Sequence, residues 1–432
     1  MQSAPSVNKW RVLAFTSLGH LVNDGWVMFI PTIADIIVNA DHTPLFVVTL
    51  ISVSFYSSSA LLNFVIGHAA GRGSQGDILA RGIGLISLTS LGFVLALASP
   101  GGELLYFVVA AVSVLVGLGS ASYHPVAAVI IQTSFDPGES GRAMGINGAF
   151  GGVGSAIFPP LFFAMAFLFY PGDSGGTAAL SVALLVMSAI GVVGAVSIWR
   201  GLRGYTIHRD AARGARRSGM REALTRGIVV LTVVTAVRSI ANTGVSVWLP
   251  IYITSVRGEG VGPILGFTLA ATYLGAIPGQ IFFGTLVERL DKRAVLGASS
   301  AGAALAVLGY VYSGGYLALA FISLFGFFSY SSFPTLLSLA ADYVPRSSWS
   351  AANGFVWGFG IMGGNVLGPA LTEFVIGEDY TRLTLAFVLL AVIGLAGAAV
   401  TPLMTKPTHR MGEERKTIEV GKKEEEEEEQ GP

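Results

Sequence analysis

His20, Asn23 and Asp24 stand together in the stretch LGHLVNDGWVMFIPT, Leu18 to Thr32, inside the first long apolar run of the chain. An ionisable group at the centre of a hydrophobic helix costs about 2.5–3.5 kcal/mol on insertion scales. A chain that keeps a carboxylate there is expected to use it. His20 and Asp24 are four residues apart, so on a helix they share one face. Imidazole titrates near neutral pH, so His20, and with it His124 deeper in the chain, can relay a proton to such a carboxylate. That face must look into a polar pathway and not into lipid.

Composition shows what surrounds these groups. Of 432 residues 52% are hydrophobic and 12% charged, against about 25% charged in a soluble domain. Mean hydropathy is +0.67. Many runs reach the roughly 20 residues needed to cross a bilayer. The 56 glycines suit close helix approach. The absence of cysteine excludes disulfides, thiolate metal sites and cysteine nucleophiles. The N-terminal MQSAPSVNKWR is too polar for a cleaved signal, so the first run is expected to remain as an anchor.

Hydropathy predicts twelve spans, near 11–36, 45–70, 82–99, 104–132, 142–169 and 176–199, then 227–255, 262–287, 294–313, 315–341, 349–376 and 382–404. The connections alternate in charge. One side holds Lys9, Arg11, Arg72, Arg81, Arg142, the 200–226 segment, Arg289, Lys292, Arg293 and Arg346. The other holds Asp41, Glu103, Asp173, Glu259, Glu378 and Asp379, with Arg257 its clear cation and Arg382 at a boundary. Basic residues concentrate in cytoplasmic loops, so both termini are expected in the cytoplasm, in a multi-pass protein of the cell membrane.

Segment 200–226 carries eight arginines and two acids. It reads as a topology-fixing linker, and a nucleic-acid patch is disfavoured because Tyr205 alone, and no run of aromatic side chains, interleaves the charge. From Thr405 on there are nine glutamates, six of them consecutive at Glu424 to Glu429. Such a block repels itself and is expected to be disordered. The domains are therefore 1–199 and 227–404, two helical bundles separated by the linker, with a tail at 405–432.

The two halves repeat. GLGSASYHP at 117–125 aligns with GFFSYSSFP at 326–334, offset 209, and Gly145, Gly151, Gly154 and Pro160 meet Gly354, Gly360, Gly363 and Pro369 at the same offset. Asn23, Gly25 and Pro31 meet Asn242, Gly244 and Pro250 at offset 219; Gly67 and Arg72 meet Gly284 and Arg289 at offset 217. The fold class is all-α: an integral membrane protein of twelve transmembrane helices in two six-helix, pseudo-symmetric bundles. Such repeats put substrate near the midplane, where the halves meet.

This architecture resembles the major facilitator superfamily over nearly the whole chain. GTLVERLDKR at 284–293 is similar to that family's signature between its second and third helices, here in the second half. The resemblance implies a gate built from Gly284, Glu288, Arg289 and Arg293, with Arg72 in the first-half copy GHAAGRGSQGD, where Gly71 replaces the usual acid. GLGSASYHPVAA at 117–128 and the run to GSAIFPP at 154–160 resemble the fosmidomycin-resistance branch, which implies drug efflux by proton antiport. The antiporter motif lacks one glycine in the fifth helix; its intact form, Gly364 to Gly368-Pro369, lies in the eleventh.

Arg238 aligns with Gly19, which places it near the depth of His20 in the opposite half. A buried guanidinium needs a partner, and Asp24 is the nearest by depth, with an anionic substrate as the alternative. Protonating Asp24 would then release Arg238 for substrate; a purely structural pair is the competing reading. His124 precedes Pro125 at a kink and could serve only a freed carbonyl. Asn23, Tyr123, Asn242, Trp248, Tyr273 and Trp357 are the further candidate lining residues, while Asn147 reads as helix-to-helix glue.

The reading is a secondary transporter of a small organic solute, proton-coupled and exporting, with proton symport of an organic anion as the alternative. Its expected partners are substrate, proton and bilayer, with no cofactor, metal or nucleic acid, and it is expected to work as a monomer. A membrane enzyme is disfavoured because the chain has no nucleotide-binding loop and no His-Glu-x-x-His.

Overall fold

The computed structural model describes residues 8–41, 43–69, 74–99, 101–135, 137–171, 175–203, 205, 224–330, 333–345 and 348–406. Arg72, Asp173, Arg346, most of the basic linker and the acidic tail from 407 lie outside them, as do the side chains of His68 and Glu288.

The described residues form helices and turns, with no strand among them. The first half holds α1 (Lys9–Asp41), α2 (Phe46–Ala69), α3 (Gln75–Leu97), α4 (Gly102–Ala121), α5 (His124–Ser134), α6 (Pro137–Phe169) and α7 (Thr177–Gly201). The second holds α8 (Arg226–Ile251) with a π-helical extension Tyr252–Val256, then α9 (Pro263–Arg289), α10 (Lys292–Tyr312), α11 (Gly315–Ser329) and α12 (Phe333–Asp342). It ends with α13 (Trp349–Phe355), the π-helical Val356–Met362, α14 (Gly363–Ile376) and α15 (Leu383–Val400).

Eleven stretches among the described residues are long and apolar enough to cross a membrane. The twelfth span is the pair α11 and α12. The fourth span, read from sequence as one run, is broken between α4 and α5 at Ser122 and Tyr123. Pro125 at the start of α5 has no N–H to offer the Ala121 carbonyl four residues back, and the Ser122 N–H and hydroxyl both bond the Gly119 carbonyl, the hydroxyl at 2.6 Å. At offset 209 the start of α5 at His124 falls on the start of α12 at Phe333, so the repeat extends to these helix starts.

Glycine sets how close the helices come. A Cβ on Gly154 of α6 would lie 2.0 Å from the Leu21 carbonyl oxygen of α1. On Gly326 of α11 it would lie 1.7 Å from the Thr272 carbonyl oxygen of α9. Large apolar side chains cover the outside: Phe107 is 72% exposed and Phe374 86%. Water would not tolerate that surface, whereas acyl chains would.

The halves are fastened at one end. Thr254 donates to Asp35 Oδ1 at 2.7 Å, the Leu45 N–H to Glu378 at 2.7 Å and Thr49 to the Pro369 carbonyl at 3.3 Å. Nearer the middle, Tyr273 donates to the Met28 carbonyl at 3.2 Å. All four bonds lie between the midplane and the end with acidic loops. At the basic end the ion pairs among described residues stay within one half: Lys9 with Glu139, Lys292 with Asp342 and Arg293 with Asp291.

Candidate functional site

α1 carries His20 and Asp24 on one face, with His20 Nε2 3.1 Å from Asp24 Oδ2. The break before α5 turns His124 toward the same carboxylate, Nε2 to Oδ1 3.7 Å. Asn23 donates to Asp24 Oδ1 at 2.9 Å. The three titratable groups offer one ligand atom each within 4.8 Å of one another, and no further His, Asp or Glu joins them among the described residues.

The orientation of His20 follows from what lies behind it. Its Nδ1 is 2.8 Å from the Asn147 backbone oxygen and 2.9 Å from the Asn147 Oδ1. A carbonyl oxygen only accepts, so Nδ1 carries a hydrogen, whichever way the Asn147 amide is turned. In a neutral ring Nε2 then presents a bare lone pair to a carboxylate oxygen. A proton between the two turns that repulsion into a charge-assisted hydrogen bond.

The support behind the pair is buried. Tyr123 packs its ring 4.8 Å from that of His20, donates to the Thr16 carbonyl at 2.9 Å and accepts from Asn147 Nδ2 at 3.0 Å. On the other side α6 reaches the pair only because residue 151 is glycine. A Cβ there would sit 2.6 Å from His20 Nε2 and 2.7 Å from Asp24 Oδ2. The open face belongs to His124, whose side chain is 40% exposed against 12% for His20. The Trp357 ring, from the π-helical segment of the second half, lies 6.3 Å from His124.

Arg238 is the correction. It does not pair with Asp24. Its guanidinium is buried and donates to Ser300 Oγ at 2.9 Å, the Phe328 carbonyl at 2.9 Å and the Ser329 carbonyl at 2.8 Å. These bonds tie α8 to α10 and to the end of α11, all in the second half. The peptide oxygens at the end of α11 do the work expected of a carboxylate.

The other expected residues fall in different surroundings. Trp248 is fully buried and donates to the Pro369 carbonyl at 3.2 Å, inside the second half. Asn242 lines a small void of that half with Ser300 and Phe325. Tyr273 crosses to the first half and faces Tyr330 at 5.8 Å. In the 284–293 signature, Arg293 bonds Asp291 at 2.6 Å and the Met404 carbonyl at 2.5 Å. The Arg293 hydrogen bonds hold the Asp291 carboxyl below its ordinary 3.8. Gly284 has open space around it and Arg289 closes α9.

Two residues escaped the sequence reading. Asn147, read there as helix glue, is what fixes His20. Asp35 was not singled out, although α1 runs five residues past the predicted span end at 36 and buries it completely. The available signal was its repeat partner: offset 219 leads from Asp35 to Thr254, the residue that bonds it.

Comparison with known proteins matches this geometry to one family. The model of the Major Facilitator Superfamily covers residues 17–269 and 261–426. The fosmidomycin resistance protein of Escherichia coli K12 is 25% identical over 407 residues, spanning 91% of this chain and 94% of that protein. A protein of Cupriavidus necator, named a probable sulfoacetate transporter, is 24% identical over 347 residues, 70% of this chain and 75% of its own. Among solved structures, a bacterial homologue of the lysosomal transporter Spinster, inward-facing and unoccupied, superposes with TM-score 0.73 at 17% identity, over 93% of this chain and 97% of that one. The Escherichia coli fucose:proton symporter gives 0.57 at 16% identity, over 90% and 99%. With its broken fourth span, paired halves and family match along nearly all of its length, the chain belongs to the major facilitator superfamily, a transporter of small solutes and not an enzyme.

Proposed function

We propose that the protein is a proton-coupled exporter of a small organic compound. Asp24 and His20 form the proton site, and His124 links them to the cavity. The observation that carries this is the tautomer: Nδ1–H on the Asn147 carbonyl leaves His20 Nε2 facing Asp24 Oδ2 at 3.1 Å. That contact is favourable with one proton between the atoms and unfavourable without it. Substrate approaching His124 and Trp357 then meets a site whose charge depends on that proton. Charge-dependent competition of this kind is what exchange of solute against protons needs.

The positive-inside pattern supports placing the basic end in the cytoplasm. The bonds between the halves then close the outer side, and the cavity at His124 opens inward. A cycle would take up solute from the cytoplasm, rock the halves and open the acidic end.

A second reading, symport of an organic anion, draws on the relative named for sulfoacetate. Purified protein in liposomes with an imposed pH gradient separates the two. Solute should accumulate on the acid side for antiport and on the alkaline side for symport. Asp24→Asn should abolish gradient-driven movement and keep substrate counterflow. If gradient-driven transport survives at the wild-type rate, Asp24 is not the proton site.

A further inference from the structure

We propose that Asp35 is a second protonation site of the cycle, and that the outer gate closes preferentially on its neutral form. This rests on the transport reading above for the name of the gate, but not on the role given to Asp24. Asp35 is 0% exposed. Its Oδ1 accepts from Thr254 of the opposite half at 2.7 Å and from Asn39 at 2.9 Å. Its Oδ2 is buried with no hydrogen-bond partner.

No charged side chain among those described answers it. On its own helix the other buried acid, Asp24, is eleven residues away, about three turns and roughly 16 Å. On the facing segment, Arg257 donates to the Tyr310 and Ser313 carbonyls. At the neighbouring loop, Glu378 accepts the Leu45 N–H, and Glu259 is exposed. A buried carboxylate with one bare oxygen and no countercharge among the described residues is among the costliest groups to bury. The neutral acid fills the same space and keeps the Thr254 bond, and its one unpaired hydroxyl costs far less than an unpaired charge.

Opening the halves at this end withdraws Thr254 and admits water, so the open gate tolerates the anion. The closed gate therefore binds a proton more tightly than the open one. The sign follows directly. Above the range in which an exposed aspartate titrates, about pH 4, the closed-to-open ratio should fall by up to about tenfold per pH unit. It levels off once the closed form also ionises. Proton exchange at Asp35 is confined to the outer solution and to the open gate.

The chain has no cysteine, so labels can be placed cleanly. Leu104 and Tyr380 are exposed at the acidic end of opposite halves, 58% and 45%. The full chain carrying Leu104→Cys and Tyr380→Cys, spin-labelled in nanodiscs, reports the gate by electron–electron distance. Acidification should enrich the short distance. Asp35→Asn should hold the short distance at every pH, and Thr254→Val should lower the closed-to-open ratio about three- to tenfold while leaving it pH-dependent. Asp24→Asn should leave the response in place, so failure at Asp24 is read separately. If Asp35→Asn, monodisperse and ligand-stabilised like wild type, keeps the wild-type pH response, the proposal is overturned. A gate distance that does not change with pH in the unaltered chain overturns it equally.

Discussion

Gly151→Ala tests the central site without removing any of its chemistry. The added methyl would start 2.6 Å from His20 Nε2 and 2.7 Å from Asp24 Oδ2, where ordinary contact begins near 3.4 Å. One or both side chains must therefore move by roughly 0.8 Å, enough to break a contact that is 3.1 Å long. A charge-assisted hydrogen bond is worth about 1.5–3 kcal/mol, so proton binding at the pair should weaken by roughly ten- to a hundredfold. Folding should hardly suffer. Alanine inside a helix gains about 0.5–1 kcal/mol over glycine, and the displaced groups border a cavity. The assay is gradient-driven transport beside counterflow in the same liposomes, with Tm measured in parallel. The expected result is gradient-driven transport reduced at least tenfold, counterflow near wild type and Tm within a few degrees. Wild-type driven transport with an unchanged Tm would refute the assignment, because the geometry leaves no room for both the methyl and the intact pair.

Gly154→Ala, one turn on, should behave oppositely: its methyl meets the Leu21 backbone at 2.0 Å, which cannot yield, so yield and Tm should drop and both transport modes fall together. Asn147→Leu should remove the Oδ1 acceptor of His20 Nδ1 and the Nδ2 donor to Tyr123 while leaving the backbone carbonyl, so driven transport should fall several-fold and shift in pH profile with substrate affinity retained. Arg238→Ala strips donors from the Phe328 and Ser329 carbonyls, a loss of about 2–4 kcal/mol, so Tm should fall and transport of neutral and anionic compounds should decline alike; loss confined to anions would make Arg238 a substrate ligand. Asp291 caps α10 and pairs with Arg293, and its depressed carboxyl contributes stability above the ordinary aspartate range that is lost as pH falls through its folded value. The Tm gap between wild type and Asp291→Asn should therefore be present at about pH 7 and shrink in acid.

What sequence could and could not deliver is clearest at Arg238. Alignment with Gly19 fixed its depth, because depth along a helix is counted in residues. Direction around the helix is another matter. Gly19 faces inward to its own half, where a Cβ would lie 3.0 Å from Tyr123 beside the broken fourth span. His20, one residue on and about 100° around the helix, faces Asp24 and the cavity. Arg238 inherits the direction of Gly19, so its guanidinium meets the carbonyls at the end of α11. The alignment already implied this, since the residue equivalent to His20 is Ser239 and not Arg238. The His20 and Asp24 pairing was legible because it depends only on spacing within one helix. Asn147 and Gly151 were not, because their part depends on how α6 docks against α1. Asp35 failed for a third reason. A hydropathy window ends where polar residues begin, so a buried acid near a helix end looks like the edge of the membrane. The repeat supplies the remedy. Asp35 and Thr254 occupy equivalent places, and in a pseudo-symmetric pair of bundles equivalent residues on the first helices approach each other wherever the axis is closed. Polar residues at a common offset therefore point to this contact between the halves.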